Sequence, residues 1–591
     1  MATDFIANPS ASLATQIADA CRVEKNRFRF INHETLVPTL ITFLASQMEA
    51  KDNDGIVAAL RGVGNLTYEI KKSREQCLEN DAQGIKMVVQ LLGSEHGPAR
   101  RAAAGVTTNL ISEEDAVQRE VLMSGVSEKL IALLDDDDVV FMALRGLGNL
   151  CGLEGEKDMV MEKFIPKAVA FAREAEDNDD LLPEVFEILK VMVPTAHFWT
   201  KMKEEHVKNV ALSVVMNTGL EKEGREKASD FLVTLSKSDD HRSEIMEFYD
   251  DAMAMNKTED LICHATGIML LAHMSLDDGE GGHKKLLKEL DRVYFDLDST
   301  DVRIQMGQAM LLGNLPHCHE DAIALAHHPD AFSLLVKYLK ESEDERIHHL
   351  VAAGLRNLSI PKENKHLFKD KGVVETVMKL GKKSKNAPVK FECVRCVKGL
   401  LVDDSFEHEF YDNGGLEFLV EADESCSEEP AVRVAFEAGR IWVRLLENEE
   451  RYASLIAASP LSEEAGQKKE GGAIESPLLK LLETKFDVLQ AEGAKGCFLL
   501  FKGGYRPKDN MLCRRLSALL LDTDKVPVRS WCGRALNAFV GQKSEEKSGV
   551  EVLQEDEGVK VEDLLGALGT LVFDEESKEE LSHLLKVLKG E

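Results

Sequence analysis

Residues 59–66 read ALRGVGNL and residues 143–150 read ALRGLGNL, so a near-identical octapeptide recurs 84 positions further along the chain. The related stretch AAAGVTTNL at 102–110 lies midway between them, and the stretches LLGNL and AAGLRNL end at Leu315 and Leu358. The period is therefore 42 to 43 residues. In sequence with helical periodicity, a period of 40 to 47 residues is typical of armadillo or HEAT repeats.

The units share one internal plan. Gly125-Val126 opens a segment whose leucines and isoleucine follow the 3.6-residue period of a helix, four aspartates interrupt it at 135–138, and the octapeptide follows as a second helix. Gly84-Ile85 and Gly372-Val373 begin the same plan. Because one such unit cannot bury its apolar face alone, neighbouring units must stack.

The sequence therefore predicts an all-α fold, an armadillo-repeat right-handed superhelical solenoid of about twelve repeats. The repeats span 33–590 as one elongated domain, and residues 1–32 form an N-terminal helical segment or cap. The stretch 459–476, with SEEAGQKKEGG at its centre, is predicted as a flexible loop within a repeat.

The chain is strongly acidic. Its 591 residues contain 104 Asp and Glu against 72 Lys and Arg, a net charge of −32. This charge opposes binding to nucleic acid and to anionic lipid, and it favours a cationic protein segment as partner, although solubility alone also explains it. With no apolar run of 18 residues, no leader-like N-terminus and eleven scattered cysteines, we expect a cytoplasmic protein with reduced thiols and no membrane insertion.

No group of residues matches a catalytic or cofactor-binding motif such as GxSxG, GxxxxGK[ST], GxGxxG or HExxH. Cys393 and Cys396 form a lone CxxC without the second pair that zinc would need, and residues 317–319 (HCH) are better explained as turn residues. The acidic runs 135–138 and 421–429 are interpreted as solvated loops. We therefore predict no catalytic residue, no metal site and no cofactor.

Asparagine recurs at one place in the repeat, near the end of the second long helix, although it is a mediocre helix former. One explanation is that a row of amide side chains bonds the main chain of an extended peptide. The other is that each amide satisfies backbone groups at the turn to the next repeat, and both can hold. The candidate groove residues are Asn65, Asn109, Asn149, Asn314 and Asn357.

A longer stretch resembles a known family. The run AAGLRNLSIPKENKHLFKDKGVVETVMKLGKKSKNAPVKFECVRCVKGLLVD at 352–403, with GVSEKLIALL and ALRGLGNLCGLE in 125–154 and REAEDNDDLLPEVFEILKVM at 173–192, is similar to SmgGDS, the armadillo-repeat GDP-dissociation stimulator of small GTPases. The resemblance covers about residues 40–420. It implies a monomeric chaperone and weak nucleotide-exchange stimulator for Rho-, Rac- and Rap-type GTPases with polybasic, prenylated C-termini. It also implies a cytosolic location and leaves nuclear, endoplasmic-reticulum and mitochondrial association open.

The resemblance further implies that an acidic patch takes the basic tail. The matching residues are Asp180, Glu184 and Glu187, whose i, i+4, i+7 spacing places them within about 60° of one another on a helix. Because Pro183 suggests a helix start, Asp179 or Asp180 is also explained as its N-cap, and for Asp180 the cap is the preferred role. For the two glutamates the groove role is preferred to a solvated face.

Two other functions stay open on the residues alone. A myosin-folding armadillo chaperone would need an N-terminal TPR domain, for which residues 1–40 are too short. A junctional or cytoskeletal scaffold of the catenin type would show a basic groove, which the net charge of −32 disfavours.

Overall fold

The computed structural model describes residues 1–30, 32–113, 116–151, 157–194, 196–238, 245–276, 282–424, 432–448, 455, 474–507, 510–542, 548–556, 558–559, 561–568 and 578–589. Throughout these ranges the regular structure is helical and no strand occurs. The chain divides into two compact units. Unit 1 comprises Met1–Asp277 with Arg292–Tyr294, and unit 2 comprises Asp278–Asp291 with Phe295–Glu591.

The α-helices of unit 1 are Ala2–Ala7, Ala11–Cys21, Glu24–Phe30, Leu36–Ala50, Asn53–Thr67, Lys71–Gln76, Glu79–Leu91, Gly97–Leu110, Ala116–Met123, Val126–Ala132, Val140–Leu150, Lys157–Arg173, Leu182–Met192, Ala196–Glu204, Val207–Met216, Lys222–Ser236, Tyr249–Met255 and Leu261–Met274. Short 3-10 turns lie at Leu133–Asp135, Asp179–Leu181 and Met246–Phe248.

The α-helices of unit 2 are His283–Lys288, Val302–Asn314, His319–Ala326, Ala331–Glu341, Glu345–Ser359, Lys365–Phe368, Val373–Lys383, Ala387–Leu400, Glu407–Asp412, Gly415–Glu424, Val432–Leu446, Glu475–Glu483, Asp487–Lys502, Met511–Asp522, Val526–Val540, Gly549–Glu555, Val561–Leu568 and Lys578–Lys589. Its 3-10 turns include Lys362–Asn364 and Asp404–Phe406.

Most repeats consist of a short helix, a tight turn and two longer helices. The turn needs a residue with positive φ, and glycine takes this conformation without strain: Gly125 has φ 73° and Gly372 has φ 65°, each directly before the second helix. The repeat of Gly84 differs, because its left-handed residues are Asn80–Ala82 and Gly84 lies inside the helix Glu79–Leu91.

Within each unit, the third helix of a repeat packs against the third helix of the next, and we call these the stacking helices. The first glycine of the octapeptide allows close packing within a repeat, since a Cβ at Gly146 would lie 2.9 Å from Leu130. The prediction of an all-α solenoid of stacked repeats is thereby confirmed. In unit 1 the stacking helices are Ala11–Cys21, Asn53–Thr67, Gly97–Leu110, Val140–Leu150, Leu182–Met192, Lys222–Ser236 and Leu261–Met274. In unit 2 they are Val302–Asn314, Glu345–Ser359, Ala387–Leu400, Val432–Leu446, Asp487–Lys502, Val526–Val540 and Lys578–Lys589.

The N-terminal segment contributes the first helix of this row, because Ala11–Cys21 packs on Asn53–Thr67. Most of the predicted loop 459–476 lies outside the described residues, and the helix Glu475–Glu483 begins at its end.

Candidate groove interface

The recurrent asparagines connect successive stacking helices. Asn65 Nδ2 donates to the carbonyl oxygen of Ala18 at 2.8 Å, and Asn109 Nδ2 donates to that of Gly64 at 2.9 Å. In each case the bond runs to the preceding stacking helix. We call these side chains the Asn rungs.

The same bond recurs further along the chain. Asn149 Nδ2 lies 3.4 Å from the carbonyl oxygen of Thr108, and Asn357 Nδ2 lies 3.0 Å from that of Gly313. The acceptor is always the residue before the rung position of the previous repeat; Gly313, for example, precedes Asn314, the fifth candidate. Asp19 therefore stands at the rung position of the first stacking helix, where it pairs with Arg61 at 2.7 Å.

The two ends of each amide therefore differ in what they contact. The Nδ2 groups stabilise the stacking of repeats, and they reach back to the preceding helix instead of forward to the next turn. The Oδ1 atoms of Asn65, Asn109, Asn149 and Asn357 accept no hydrogen bond from the described residues. Since Asn149 is exposed and the other three are half-buried, these oxygens are open to an N–H donor of a ligand.

The three predicted acidic residues do not share one helix. Asp180 lies in the 3-10 turn Asp179–Leu181, and the helix begins at Leu182 with Leu181 as its N-cap. The expectation that Asp180 caps this helix is therefore wrong, because the turn places it one residue too early. Its neighbour Asp179 instead accepts the backbone N–H of Glu221 at 2.7 Å and so links two repeats.

Glu184 and Glu187 lie on the helix Leu182–Met192 beside cations of their own chain. Glu184 Oε1 is 3.9 Å from Arg145 Nε, and burial raises the pKa of this carboxyl despite the guanidinium. Glu187 accepts bonds from Lys190 at 2.9 Å and Lys227 at 3.0 Å; burial raises its pKa, but the two lysines lower it more. The pair is thus partly neutralised within the protein.

A more open acidic surface lies next to Asp180. Glu174, Glu176 and Asp177 line a shallow depression of about 460 Å³ together with Ser213 and other residues. These three carboxylates and Asp180 are exposed, and none has an ion-pair partner in the described ranges. Glu174, Glu176 and Asp177 are not among the predicted residues; their signal in the sequence is the acidic run Glu-Ala-Glu-Asp at 174–177, three residues before Asp180.

A row of ion pairs joins successive stacking helices of unit 2. Arg356 Nε donates to Glu392 at 3.0 Å, and Lys398 bonds Glu437 on the next stacking helix. Arg440 then holds Glu492 of the following helix through two bonds of 2.6 and 3.0 Å.

Lys365 is a buried cation of the same unit and is only 3% exposed. Its ammonium donates to the carbonyl oxygens of Ser359 and Gly399, which terminate adjacent stacking helices. Burial lowers its pKa to about 8.

The sites that the sequence disfavours have other roles here. Cys393 and Cys396 are buried, which raises the pKa of both thiols, that of Cys396 to about 12. His319 pairs with Glu363 at 3.2 Å, whereas His317 stacks on His283. Over the ranges given above, no three His, Cys, Asp or Glu residues form a group that could hold a metal ion.

The acidic run 135–138 lies between helices with Asp135, Asp137 and Asp138 exposed, as expected of a solvated segment. Three of its aspartates also form ion pairs with neighbouring repeats. Arg100 binds Asp136, Arg101 binds Asp138, and Lys167 binds Asp135.

In the described part of the chain, no helix combines the length and apolar character needed to cross a bilayer.

No protein-family model matches the chain. Among curated proteins it is similar to Rap1 GTPase-GDP dissociation stimulator 1-A of Xenopus laevis, with 23% identity over 68% of this chain and 62% of that protein. Darlin of Dictyostelium discoideum is 21% identical over 82% of this chain and 78% of its own length. The GTPase-GDP dissociation stimulator vimar of Drosophila melanogaster is 20% identical over 63% of this chain and 55% of its own length.

These likenesses confirm the resemblance to the SmgGDS family. The alignment spans just under two thirds of the length of the Xenopus relative. A chain from a solved structure in a study of cadherin and beta-catenin aligns over 84% of this protein with a TM-score of 0.49 and 13% identity. The assignment of an all-α solenoid rests on the packing of this chain's own helices and not on that alignment.

Proposed function

We propose that this protein binds small GTPases and stimulates the dissociation of GDP from them. The observation that carries the proposal is its similarity to relatives named as GTPase-GDP dissociation stimulators. Such an activity needs no covalent chemistry. A protein that binds the nucleotide-poor form of a GTPase more tightly than its GDP-bound form weakens the binding of GDP by that difference in affinity, and so favours GDP release.

The partner class that we propose is a Rho-, Rac- or Rap-type GTPase with a basic, prenylated C-terminus, bound by a monomer in the cytosol. Asp180, Glu184 and Glu187 would take the basic tail, together with the open carboxylates at 174–177. The open carboxylates are better placed than Glu187 to take a lysine of the tail. They have no ion-pair partner in the described ranges, although Arg173 lines the same depression, whereas a tail lysine at Glu187 would have to displace Lys190 or Lys227.

The rungs would contribute where a ligand main chain crosses them. Asn65, Asn109 and Asn149 lie at one position of three successive repeats of unit 1, and Asn314 and Asn357 lie at that position of two successive repeats of unit 2. The free Oδ1 atoms of the four rungs suit donors spaced along an extended segment. Within each unit, a ligand bound there would follow the row of stacking helices.

The direct test is GDP release. A Rap1-type GTPase loaded with a fluorescent GDP analogue should lose it faster when the full chain is added, in a manner that saturates with the concentration of the chain. An unchanged release rate, with no complex of the nucleotide-free GTPase in size-exclusion chromatography, would refute the proposal.

The acidic surface is tested by a fourfold variant, Glu174→Gln, Glu176→Gln, Asp177→Asn and Asp180→Asn. Its affinity for a Lys-rich tail peptide should fall about fourfold at least and up to several hundredfold at low salt, since four exposed pairs contribute about 0.2–1 kcal/mol each. The matched control removes four exposed carboxylates of unit 2, by Glu341→Gln, Glu343→Gln, Glu483→Gln and Asp522→Asn. Equal losses in the two variants, measured by calorimetry, would show that net charge alone attracts the tail.

A further inference from the structure

The depression that carries the open carboxylates at 174–177 also contains two hydrogen-bond donors, Arg173 and Asn217. Arg173 is the last residue of the helix Lys157–Arg173, and Asn217 follows the helix Val207–Met216 of the next repeat. We call Arg173 and Asn217 the donor pair. The depression therefore presents donors as well as acceptors to a ligand.

The amide of Asn217 is oriented by its own turn. Its Oδ1 accepts the backbone N–H of Gly219 at 3.0 Å, so the oxygen faces the turn and Nδ2 faces away from it. Nδ2 has no acceptor among the residues that the structure describes. Because an amide nitrogen carries two N–H groups, Asn217 can donate to a ligand without losing the bond that closes its turn.

Arg173 is exposed and forms no ion pair within the described ranges. Other cations of unit 1 that lie beside carboxylates are paired with them, as Arg145 is with Glu184 and Lys227 is with Glu187. The helix dipole favours a cation at a helix C-terminus, but it gives the guanidinium no acceptor. Its N–H groups suit a carboxylate, which a guanidinium binds through two parallel bonds.

The two turns that carry the donor pair are held in place by the protein itself. Asn178 Nδ2 donates to the carbonyl oxygen of Glu174 at 2.9 Å and closes the first turn. Asp179, which follows it, accepts the backbone N–H of Glu221 at 2.7 Å and joins this turn to that of Asn217. Since the turns are already ordered, a ligand has little backbone to fix on binding, which favours affinity.

We propose that the donor pair binds the C-terminal carboxylate of the ligand, while the open carboxylates bind the lysine or arginine side chains that precede it. The inference rests on the proposed function, because it concerns the basic tail assigned to this surface. The guanidinium of Arg173 would form charge-assisted bonds to the carboxylate, and Asn217 Nδ2 would donate another. The depression would then recognise the end of a basic chain and not basic sequence in general.

Charge alone predicts the opposite order of affinities. Glu174, Glu176 and Asp177 outnumber the single cation Arg173, and the whole chain carries −32. Each further negative charge on a ligand should therefore weaken binding, unless a specific contact compensates for it. A purely anionic ligand is disfavoured for the same reason. A basic peptide with a free C-terminal carboxylate separates the two explanations.

The probes are two peptides of one Lys-rich sequence, one with a free C-terminal carboxylate and the other with a C-terminal amide. The full chain should bind the free carboxylate form about fivefold to tenfold more tightly in calorimetry, although that form carries one more negative charge. Equal affinity, or tighter binding of the amide, would overturn the proposal without any variant.

The donors are tested by Arg173→Gln and Asn217→Asp. Arg173→Gln should abolish the preference for the carboxylate form, while the amide should bind as well as before or better. Asn217→Asp keeps an oxygen for the N–H of Gly219 but loses the donor, so it should reduce the preference. The matched control is Arg119→Gln, at an exposed arginine of the helix Ala116–Met123, which should retain it.

A preference that survives Arg173→Gln would overturn the assignment. Each result is the ratio of two affinities of one variant, so a partly unfolded preparation lowers the number of binding sites and leaves the ratio unchanged.

A third peptide identifies the source of the carboxylate. It ends in glutamate and is amidated, so its carboxylate belongs to a side chain; binding as tight as that of the free C-terminal form would overturn the C-terminal assignment. The measurement is separable from GDP release. If release is stimulated and both Lys-rich peptides bind equally, this inference alone fails, whereas the absence of any peptide binding would also remove the acidic surface from the proposed function.

Discussion

Both units fasten neighbouring helices with a buried cation, but they use different chemistry. In unit 1, Arg225 is 5% exposed and binds the carboxylate of Asp260 at 2.6 and 3.1 Å and the carbonyl of Val215 at 2.8 Å. In unit 2, Lys365 binds two carbonyl oxygens and no carboxylate. The first cation is hydrogen-bonded to its counter-ion, whereas the second is hydrogen-bonded to carbonyl dipoles and has Asp403 only as a nearby charge.

The difference shows in how the groups titrate. The hydrogen bond from Arg225 lowers the pKa of Asp260 to about 2, although burial opposes it. Burial lowers the pKa of Lys365 to about 8. Asp260, which is ion-paired, is thus harder to neutralise by protonation. Lys365, whose ammonium is bonded to carbonyl groups, is easier to neutralise by loss of a proton.

The largest effect is expected from Arg225→Met. Breaking a buried ion pair by removing one partner costs about 3–5 kcal/mol, because Asp260 is left without its counter-ion. Hydrogen exchange on peptides from Lys222–Ser236 and Leu261–Met274 should report this loss, and peptides of unit 2 should be unaffected.

The same measurement provides a matched control and a pH test. Arg346 also pairs with an aspartate that caps its own helix, Asp344, at 2.6 Å, but its side chain is 66% exposed, so Arg346→Met should cost less than about 1 kcal/mol. Asp260 has a lowered folded pKa, so its contribution is present above pH 4 and is lost as the pH falls towards 2, on the order of 2 kcal/mol. Similar losses in the two variants would show that burial of Arg225 contributes nothing.

A smaller effect, with the same direction of pH dependence but at alkaline pH, is expected from Lys365→Met. The folded protein binds fewer protons at Lys365 than the unfolded chain between pH 8 and 10.5, so wild-type stability should rise as the pH rises through that window. The variant lacks this rise. It should be less stable by about 1–3 kcal/mol at pH 10, since the carbonyls lose their donor, and the deficit should shrink at pH 7, where burial of the ammonium disfavours the wild type.

Hydrogen exchange in Glu345–Ser359 and Ala387–Leu400 at pH 7 and pH 10 checks this, with Lys369→Met at an exposed lysine as the control. A deficit that is larger at pH 7 than at pH 10 would contradict the lowered pKa. Together the Arg225 and Lys365 variants would sharpen the contrast between the two units or remove it.

The smallest effect concerns a bond that both units share. Asn149→Ala or Asn357→Ala should cost about 0.5–1.5 kcal/mol, the net value of one hydrogen bond, partly offset by the better helix propensity of alanine. Asn→Asp at the same positions also removes the Nδ2 donor but keeps oxygen acceptors.

The Ala and Asp variants separate stacking from ligand binding. If the Oδ1 atoms accept bonds from a ligand, the Asp variants should retain more affinity for the GTPase than the Ala variants at equal loss of melting temperature. Equal affinity of the two sets, measured by calorimetry, would limit the rungs to stacking.

The period, the helical class and the turn glycines could be predicted because each leaves a local or repeated pattern. Gly125 and Gly372 precede helices as expected, and the octapeptide glycines mark close packing. The partners of the polar residues could not be predicted in the same way. Their spacing predicts that Glu184 and Glu187 lie on one face of a helix, but it does not predict that Lys227, 40 residues away, binds Glu187.

That distance is close to one period, and other pairs repeat it. Arg356 binds Glu392 over 36 residues, and Arg100 binds Asp136 over the same separation. In a stacked array the neighbour of a side chain is the equivalent position of the next repeat. Opposite charges about one period apart were therefore the signal to seek, and the expected cap at Asp180 was wrong because a 3-10 turn intervened.

The Asn rungs also constrain the rotational phase of each stacking helix relative to the one before it. Each Nδ2 bonds the residue directly before the preceding rung position, so one inserted residue within a stacking helix would rotate the next asparagine by about 100° and misdirect it. An insertion in a loop between repeats leaves this phase intact. We therefore expect the array to tolerate insertions and deletions in the loops between repeats, and to be destabilised by a single inserted or deleted residue within a stacking helix.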